Sequence, residues 1–277
     1  MSQSASPILQ LSDVTLRFKG LVALNKVSLR VHKGQILGII GPNGAGKSSL
    51  LNCINNFYHP QEGQIEFEGT NLGTKRPYQI ARLGIARTFQ GLEVIRAATV
   101  IDNILLGRHI HMKRGVLWAS LFYGPSRREE IEHRRRAEEI MAFLEVGKLR
   151  NTRVGQLSYG QQKLVSIGRA MAMDPKLLLL DEPTSGLNFQ EKGEIARLIL
   201  RMKSEMGLTQ VVIEHDVRLI GELCDYIYVL DFGNVIAQGP PAVVLNDQRV
   251  IEAYLGTKVR FAAAPADELD PAQLSPS

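Results

Sequence analysis

The chain has 277 residues, of which 44% are hydrophobic and 22% are charged, and its formal net charge is +5. This composition is typical of a globular protein, and the length is sufficient for one large core or for a core and a subdomain. The excess of 33 basic over 28 acidic residues is small. It permits contact with nucleic acid or anionic lipid headgroups but indicates neither.

The two cysteines, Cys53 and Cys224, lie far apart in apolar segments and do not have the spacing of metal ligands. That usage is typical of a reducing compartment and argues against disulfide chemistry. No apolar stretch approaches the roughly 18 residues that a membrane-spanning helix needs. Residues 1–7 lack the charged and apolar regions of a signal peptide. We therefore expect a cytosolic protein.

The first predicted elements are strands. Apolar and polar side chains alternate through residues 8–32, which predicts two antiparallel, half-buried strands. The apolar run 35–40 predicts a buried strand, and residues 48–54 predict a helix. Between them, from Gly41 to Ser48, the sequence follows the pattern GxxxxGK[ST]. A glycine-rich loop between a buried strand and a helix is typical of nucleotide phosphate binding.

The chemistry of this loop depends on its glycines, which allow backbone N–H groups and the positive end of the following helix to point at a polyphosphate. The lysine is expected to reach the β- and γ-phosphates, and the serine hydroxyl is expected to ligate Mg²⁺. The residues expected to bind the nucleotide here are Gly41, Pro42, Asn43, Gly44, Ala45, Gly46, Lys47, Ser48 and Ser49.

Further strands alternate with helical patterns along the rest of the chain. Strands are predicted at 63–69, 84–89, 177–180, 210–213, 226–230 and 235–237, the last two as a hairpin. The predicted fold class is α/β: a P-loop NTPase core with a mixed sheet, N-terminal antiparallel strands and an inserted helical subdomain. The predicted boundaries are 8–90 and 161–256 for the core, 91–160 for the insertion and 257–277 for a disordered tail.

A basic cluster lies within the insertion, at Arg127, Arg128 and Arg134–Arg136. Two interpretations remain open for it. Because Glu130/Arg134 and Glu132/Arg136 have the i, i+4 spacing of helical ion pairs, the cluster is explained by a solvated helix face. Contact with lipid or nucleic acid is the alternative.

Two carboxylates follow the predicted buried strand 177–180. Asp181 would lie at the carboxyl end of that strand, where it can hold the hydration shell of Mg²⁺. Glu182 would lie where it can polarise an attacking water. The alternative is that these acidic residues merely end a strand without a role in catalysis. The phosphate loop earlier in the chain argues against that alternative.

A second anion site is predicted at the start of the helix that follows Leu157. Ser158 is expected to cap this helix. Gly160, which has no side chain, is expected to leave the backbone of the first turn uncovered. One nucleotide needs only one phosphate loop. This surface, Ser158 to Gln161, is therefore expected to serve the nucleotide of another subunit.

Together these motifs resemble the ATP-binding cassette ATPases over residues 8–256. Leu157–Gln161 resembles the family signature, with Tyr159 where the commonest form has glycine. The resemblance implies that Gln90 lies in the glutamine loop, acts in catalysis and ligates Mg²⁺, and that His215 is the switch histidine at the γ-phosphate; a lone histidine is otherwise more often a packed or surface residue.

The same resemblance gives roles to two further residues. Asn188 corresponds to the end of the loop that touches the partner subunit, where the family more often has aspartate. Phe18 corresponds to the aromatic that stacks on adenine, although an inward-facing strand residue is the alternative.

A closer resemblance is to the ATPase subunits of branched-chain amino acid uptake systems, carried by Asn52-Cys-Ile54, Arg87–Gln90 and Ala253–Gly256 among other segments. It implies ATP and Mg²⁺ as cofactors, a head-to-tail dimer with an identical or paralogous ATPase, and two separate permease subunits. An external solute-binding protein would act indirectly, and no nucleic acid is implied. The chain would lie peripherally on the cytoplasmic face of the membrane.

Two alternative functions remain. A soluble ATPase acting on nucleic acid or ribosomes shares the same cassette, but such proteins typically have two cassettes or a long coiled-coil arm. A P-loop kinase would need neither a signature helix nor a histidine after the fourth strand.

Overall fold

The computed structural model describes residues 6–88, 91, 93–111 and 125–254. The strands are β1 (Leu9–Phe18), β2 (Leu21–Val31), β3 (Ile36–Ile40), β4 (Glu62–Phe67), β5 (Thr70–Asn71), β6 (Ile85–Thr88), β7 (Leu177–Asp181), β8 (Thr209–Ile213), β9 (Tyr226–Asp231) and β10 (Asn234–Gly239). The α-helices are α1 (Lys47–Ile54), α2 (Pro77–Leu83), α3 (Val100–Gly107), α4 (Pro125–Phe143), α5 (Tyr159–Met171), α6 (Phe189–Met206), α7 (Val217–Leu223) and α8 (Pro241–Val244). Residues 248–254 are also helical.

The strands form two sheets. The antiparallel sheet has the order β2-β1-β4-β5, and the larger sheet has the order β10-β9-β3-β8-β7-β6. In the larger sheet all neighbouring strands are parallel except the hairpin of β9 and β10. The predicted N-terminal antiparallel strands, mixed sheet and terminal hairpin are therefore confirmed.

The core occupies both faces of the larger sheet. All five residues of β7 are buried. Leu177 and Leu179 pack in the apolar cluster that faces the antiparallel sheet and α1, whereas Leu178 and Leu180 pack in the cluster on the helical side. Burial on both faces explains why this strand is a continuous apolar run rather than an alternating one.

The helices α3, α4 and α5 lie between β6 and β7 in the chain, as the predicted insertion requires. They pack closely at Gly168 of α5, because a Cβ there would lie 2.6 Å from Leu144 Cδ1 and 3.3 Å from Ile104 Cδ1. The predicted boundary at residue 160 falls in the first turn of α5, so this helix contributes to both the helical insertion and the core. The boundaries remain predictions, and the segment 257–277 lies outside the described residues.

The described part of the basic cluster is paired with carboxylates. Arg134 Nε lies 3.1 Å from Glu130 Oε1, as the spacing predicted. The predicted pair of Glu132 with Arg136 is wrong, because Arg136 instead bonds Asp174 at 2.9 Å and Glu139 at 3.1 Å. These contacts favour the solvated helix face. The side chains of Arg127 and Arg128 lie outside the described residues.

Asp174 ties the helical insertion to the segment before β7. Its carboxylate accepts a hydrogen bond from Arg136 of α4 and pairs with the buried Arg108, which follows α3. Burial favours a higher pKa for Asp174, but the hydrogen bonds from both arginines outweigh it and hold the pKa below its ordinary value. The backbone of Asp174 has a left-handed φ of 46°.

We expect Asp174→Asn to lower the free energy of unfolding by about 1 to 3 kcal/mol near neutral pH, because it leaves Arg108 buried without its charged partner. Asparagine tolerates a left-handed backbone, so the substitution tests the charge. Because the folded-state pKa is depressed, this contribution is present above the unfolded value of about 3.9 and is lost as the pH falls through the folded pKa.

Urea unfolding of both proteins from neutral pH down to about pH 3 measures this effect, and a difference that stays constant with pH would contradict it. The matched control is Glu68→Gln, which breaks an exposed pair with Lys176 at 2.6 Å. That control is expected to change stability by less than about 0.5 kcal/mol.

The cysteines are both free and buried, as the sequence predicts. Burial raises the pKa of each thiol to about 12. Within the described ranges, none of the helices is both long and apolar enough to cross a bilayer.

The raised thiol pKa values lead us to expect very slow reaction of both cysteines with a thiol reagent at pH 8, because the thiolate is the reacting species. Denaturant should expose both thiols at once. A colorimetric thiol assay with and without denaturant tests this, and rapid labelling of the folded protein would contradict it.

Candidate nucleotide-binding and catalytic site

The predicted phosphate loop joins β3 to α1 at the carboxyl edge of the larger sheet. Gly41 and Gly46 have φ values of 152° and 104°. A Cβ at Gly41 would lie 2.0 Å from the Leu230 carbonyl oxygen, and one at Gly46 would lie 2.5 Å from the Ala23 oxygen. The neighbouring strands therefore exclude a side chain at both positions, which explains the glycines from packing as well as from ligand approach.

Lys47 lies inside this loop. Its ammonium group donates to the carbonyl oxygens of Gly41 at 2.7 Å and Pro42 at 2.9 Å, and the residue is buried. Burial lowers the pKa of Lys47, while the negative charges of Glu182 and Asp181 act in the opposite direction. The loop thus presents a positive charge next to the carboxylates at the end of β7. Ser48 is exposed at the start of α1, and Ser49 is half-buried.

Asp181, the last residue of β7, is held in a buried ion pair. Its Oδ2 lies 2.8 Å from an Arg87 guanidinium nitrogen, and both side chains are less than a tenth exposed. Arg87 also donates to Asn52 Oδ1 of α1 at 2.6 Å. No role was predicted for Arg87 from the sequence. An arginine within a short strand predicted to be buried, β6, was the signal that could have identified it.

Glu182 and His215 come together although 33 residues separate them. The His215 Nε2 lies 2.6 Å from Glu182 Oε1, within hydrogen-bonding distance. Glu182 is buried, whereas the His215 side chain is 43% exposed. Two of the three residues predicted to act in catalysis therefore form one pair at the edge of the sheet.

A further buried carboxylate, Glu214, was missed by sequence analysis. Its Oε1 accepts from the Thr184 amide at 2.7 Å and the Thr184 hydroxyl at 2.6 Å. Its Oε2 accepts from the His215 amide at 3.3 Å. Glu214 thereby holds the segment after Glu182 against the end of β8. A charged residue directly after the apolar run of β8 was the available signal.

Ser158 caps α5, as predicted. Its hydroxyl accepts from the Gln161 amide at 3.2 Å, and the Gln161 side-chain oxygen accepts from the Ser158 amide at 3.1 Å. The expectation that Gly160 leaves bare backbone is wrong: Gly160 is buried, and a Cβ there would lie 2.6 Å from Glu191 Oε1. The absence of a side chain at Gly160 allows this carboxylate to approach the first turn of α5.

Phe18 is 41% exposed at the end of β1 and packs edge to face against Tyr58, with ring centroids 5.0 Å apart. The alternative that Phe18 is an inward-facing strand residue is therefore wrong. Asn188 caps α6, and its side-chain oxygen accepts from the Glu191 amide at 3.0 Å. Gln90 lies outside the described residues.

The predicted residues thus fall into two groups. The loop 41–48, Asp181, Glu182 and His215 gather at one edge of the sheet. Among the described residues, no hydrogen bond or ion pair joins Ser158, Gly160 or Gln161 to that loop.

Comparison with known proteins identifies the family. The ABC transporter family profile matches residues 24–185, more than half of the chain. A second profile, branched-chain amino acid ATP-binding cassette transporter, matches residues 234–260. The high-affinity branched-chain amino acid transport ATP-binding protein BraF of Pseudomonas aeruginosa is 39% identical over 251 residues, covering 90% of this chain and 98% of BraF.

Solved structures agree with this result and confirm the predicted α/β fold. The ADP conformation of MJ1267, an ATP-binding cassette of an ABC transporter, has a TM-score of 0.80 at 36% identity, covering 91% of this chain and all of that one. The dimeric post-hydrolysis state of the cassette MJ0796, bound to ADP and Pi, has a TM-score of 0.71 at 27% identity, covering 84% and 98%. This chain therefore belongs to the ABC transporter family, as an ATP-binding cassette subunit that hydrolyses ATP.

Proposed function

We propose that this chain powers an importer of branched-chain or other hydrophobic amino acids by hydrolysing ATP. The observation that carries the proposal is the 2.6 Å pair of Glu182 and His215 at the same sheet edge as Lys47. A carboxylate paired with a histidine beside a phosphate loop is arranged to activate water at a γ-phosphate.

The amino acid class is supported by the names of the relatives and by the matched C-terminal profile over residues 234–260. A solute is selected by the membrane and binding subunits of an importer. This chain therefore does not select the particular amino acid that is transported. These relatives favour transport over the nucleic-acid alternative.

Ser48 and Asp181 offer the oxygen donors that Mg²⁺ prefers, and their positions at the start of α1 and the end of β7 fit that ion. The described residues contain no group of three or more histidine, cysteine, aspartate or glutamate side chains that could hold a metal ion. Mg²⁺ commonly takes one or two protein ligands together with water and phosphate oxygens. When bound, the ion neutralises charge on the β- and γ-oxygens. Gln90 is a third proposed ligand.

In the proposed mechanism, different residues of the chain bind the phosphates, activate the water and bind the adenine. Lys47 and the amides of the loop 41–48 bind the phosphates, and Glu182 orients and polarises the attacking water. His215, whose ring is 43% exposed, can turn from Glu182 to the γ-phosphate. Gln90 is proposed to join this group. Phe18, an exposed aromatic, is proposed to stack on the adenine.

The second anion site points to a dimer. Ser158 and Gln161 form the capped start of α5, and we propose that this turn, with Gly160, serves the ATP of a second cassette placed head to tail. The cassette MJ0796, which resembles this chain, is a dimer in its post-hydrolysis state. Donors from both subunits would then stabilise the γ-phosphate charge, so ATP favours closure and hydrolysis releases it. The second cassette is identical or paralogous.

The permease is proposed to dock in the groove between the core and the helical insertion. A cavity of about 340 Å³ lies there, lined by Phe57 and Ile85 of the core and by Leu106, Ile110 and Met173 on the other side. Phe57 and Leu106 are 52% and 45% exposed. Arg169 and Asn55 also line this groove, and a groove with both apolar and polar side chains suits an amphipathic segment of a membrane subunit. The chain would then lie peripherally on the cytoplasmic face of the membrane.

We expect Glu182→Gln to retain ATP binding while lowering kcat by at least about 100-fold, because glutamine keeps the shape but cannot polarise water. A phosphate-release assay and a nucleotide-binding titration measure the two quantities. Glu205→Gln, on the exposed face of α6, is the matched control and should hydrolyse ATP normally. Unchanged hydrolysis by Glu182→Gln would show that the carboxylate is misassigned.

The composite site can be tested by complementation. Lys47→Ala damages only the phosphate loop, and Ser158→Asp keeps a capping side chain but places a negative charge at the exposed start of α5, so each variant alone should be inactive. When mixed, one site of a mixed dimer would contain both intact halves, and we expect a clear fraction of the ATPase activity to return. If mixing restores nothing, a dimer of identical chains is excluded.

A further inference from the structure

The first turn of α5 contacts the loop that follows Glu182. The Tyr159 ring lies over Gly186, where a Cβ would be 3.1 Å from Tyr159 Cε1, and Gly186 has a φ of 79°. The aromatic ring and the left-handed backbone therefore both require glycine at this position. The Tyr159 residue is 42% exposed, so part of it also faces outward.

Lys163, one turn further along α5, extends this contact to Glu182. Its ammonium group lies 5.9 Å from the centroid of the Tyr159 ring and donates to the Glu182 carbonyl oxygen at 3.2 Å. The same oxygen accepts from the Ser185 amide at 3.2 Å. Lys163 is only 4% exposed. A buried charge on this carbonyl therefore helps to orient the turn that begins at Glu182.

The backbone of Glu182 is strained, because a non-glycine residue here has a left-handed φ of 47°. Such a conformation persists only where its surroundings hold it. On one side the Glu182 amide donates to the Ile213 oxygen of β8 at 2.9 Å, and on the other the carbonyl accepts from Lys163. The direction of the Glu182 side chain towards His215 thus depends on α5.

A second contact joins α5 to the far end of the same loop. Glu191 Oε1 lies against Gly160, and Glu191 Oε2 accepts from the Asn188 amide at 3.2 Å. The loop 185–188 is consequently held at both ends by the first turn of α5. A displacement of that turn cannot occur without moving the loop or breaking these contacts.

We propose that Tyr159 and Lys163 are positioning residues that transmit movement of the first turn of α5 to Glu182 and to the loop 185–188 of the same chain. The inference rests on the proposed dimer, in which this turn binds the ATP held by the partner while Glu182 serves its own chain's phosphate loop. Each α5 then links the two ATP sites. Binding at one site sets the position of the Glu182 that acts at the other.

The first test removes the ammonium group. Lys163→Met keeps most of the apolar stem, and we expect kcat for ATP hydrolysis to fall about 10- to 30-fold with KM within about twofold, because the groups that bind ATP are unaltered. Lys163→Arg retains a donor and should recover most of the loss. Lys176→Met removes a lysine from a surface pair with Glu68 and is the control that should leave kcat unchanged.

The second test removes the ring. Tyr159→Ala should also lower kcat, and Tyr159→Phe should recover it, because the ring rather than the hydroxyl provides most of the contact with Gly186. If both residues act on one path, the double variant Tyr159→Ala with Lys163→Met should lose little more than the worse single variant. Since Tyr159 is partly exposed, its truncation should leave the fold intact even if a change at the buried Lys163 does not.

Three results would overturn the inference: single variants with wild-type kcat, variants in which only KM changes, or losses that multiply in the double variant. If those results occur while Lys47→Ala and Ser158→Asp still complement each other, only this inference fails. If Glu182→Gln hydrolyses ATP as fast as the wild-type chain, the proposed role of Glu182 fails and this inference fails with it.

Discussion

The site depends on the parallel pairing of β3, β8 and β7. Because parallel strands end at the same edge of a sheet, their order places the phosphate loop after β3, His215 after β8, and Asp181 and Glu182 at the end of β7, side by side. Burial on both faces maintains that order, since each strand packs into an apolar cluster above and below. A change of strand order would separate groups that must meet at one phosphate.

Charges at this edge are held by buried partners. Arg87 pairs with Asp181, Glu214 accepts three hydrogen bonds from Thr184 and His215, and Lys163 donates to the Glu182 carbonyl. Buried charges are costly unless they are paired. Their presence at the catalytic edge suggests that geometry, rather than stability, accounts for them. The strained backbone of Glu182 belongs to the same arrangement, because it is fixed by neighbours on both sides.

Helix α5 has two roles in this arrangement. Its first turn is the one that we propose binds the nucleotide of a second cassette, and the same turn holds the loop that follows Glu182. The Tyr159 ring contacts the loop at Gly186, and Glu191 contacts both the loop near Asn188 and the helix at Gly160. Because well-packed interiors transmit displacement, these contacts couple the loop to the helix. One helix thus connects an outward-facing surface with Glu182, the residue that we propose acts in catalysis.

The sequence by itself determined the motifs and the elements around them. The run 35–40 with its glycine-rich loop, the apolar 177–180 before two carboxylates, and the Ser158 cap each depend on neighbours within a few residues, so local pattern sufficed. Predictions of the α/β fold and the cassette family were correct for the same reason. The motifs that were predicted singly could be assigned to one site only through the family resemblance.

Only the tertiary structure decided which side chains meet. Arg87 pairs with Asp181, 94 positions away, and Glu214 bonds Thr184 across 30 positions. Arg136 bonds Asp174 and not the predicted Glu132. The bare backbone expected at Gly160 is instead covered by Glu191. Each of these contacts is made between different elements, and sequence spacing contains no information on the distance between elements until the sheet order and helix packing have set it.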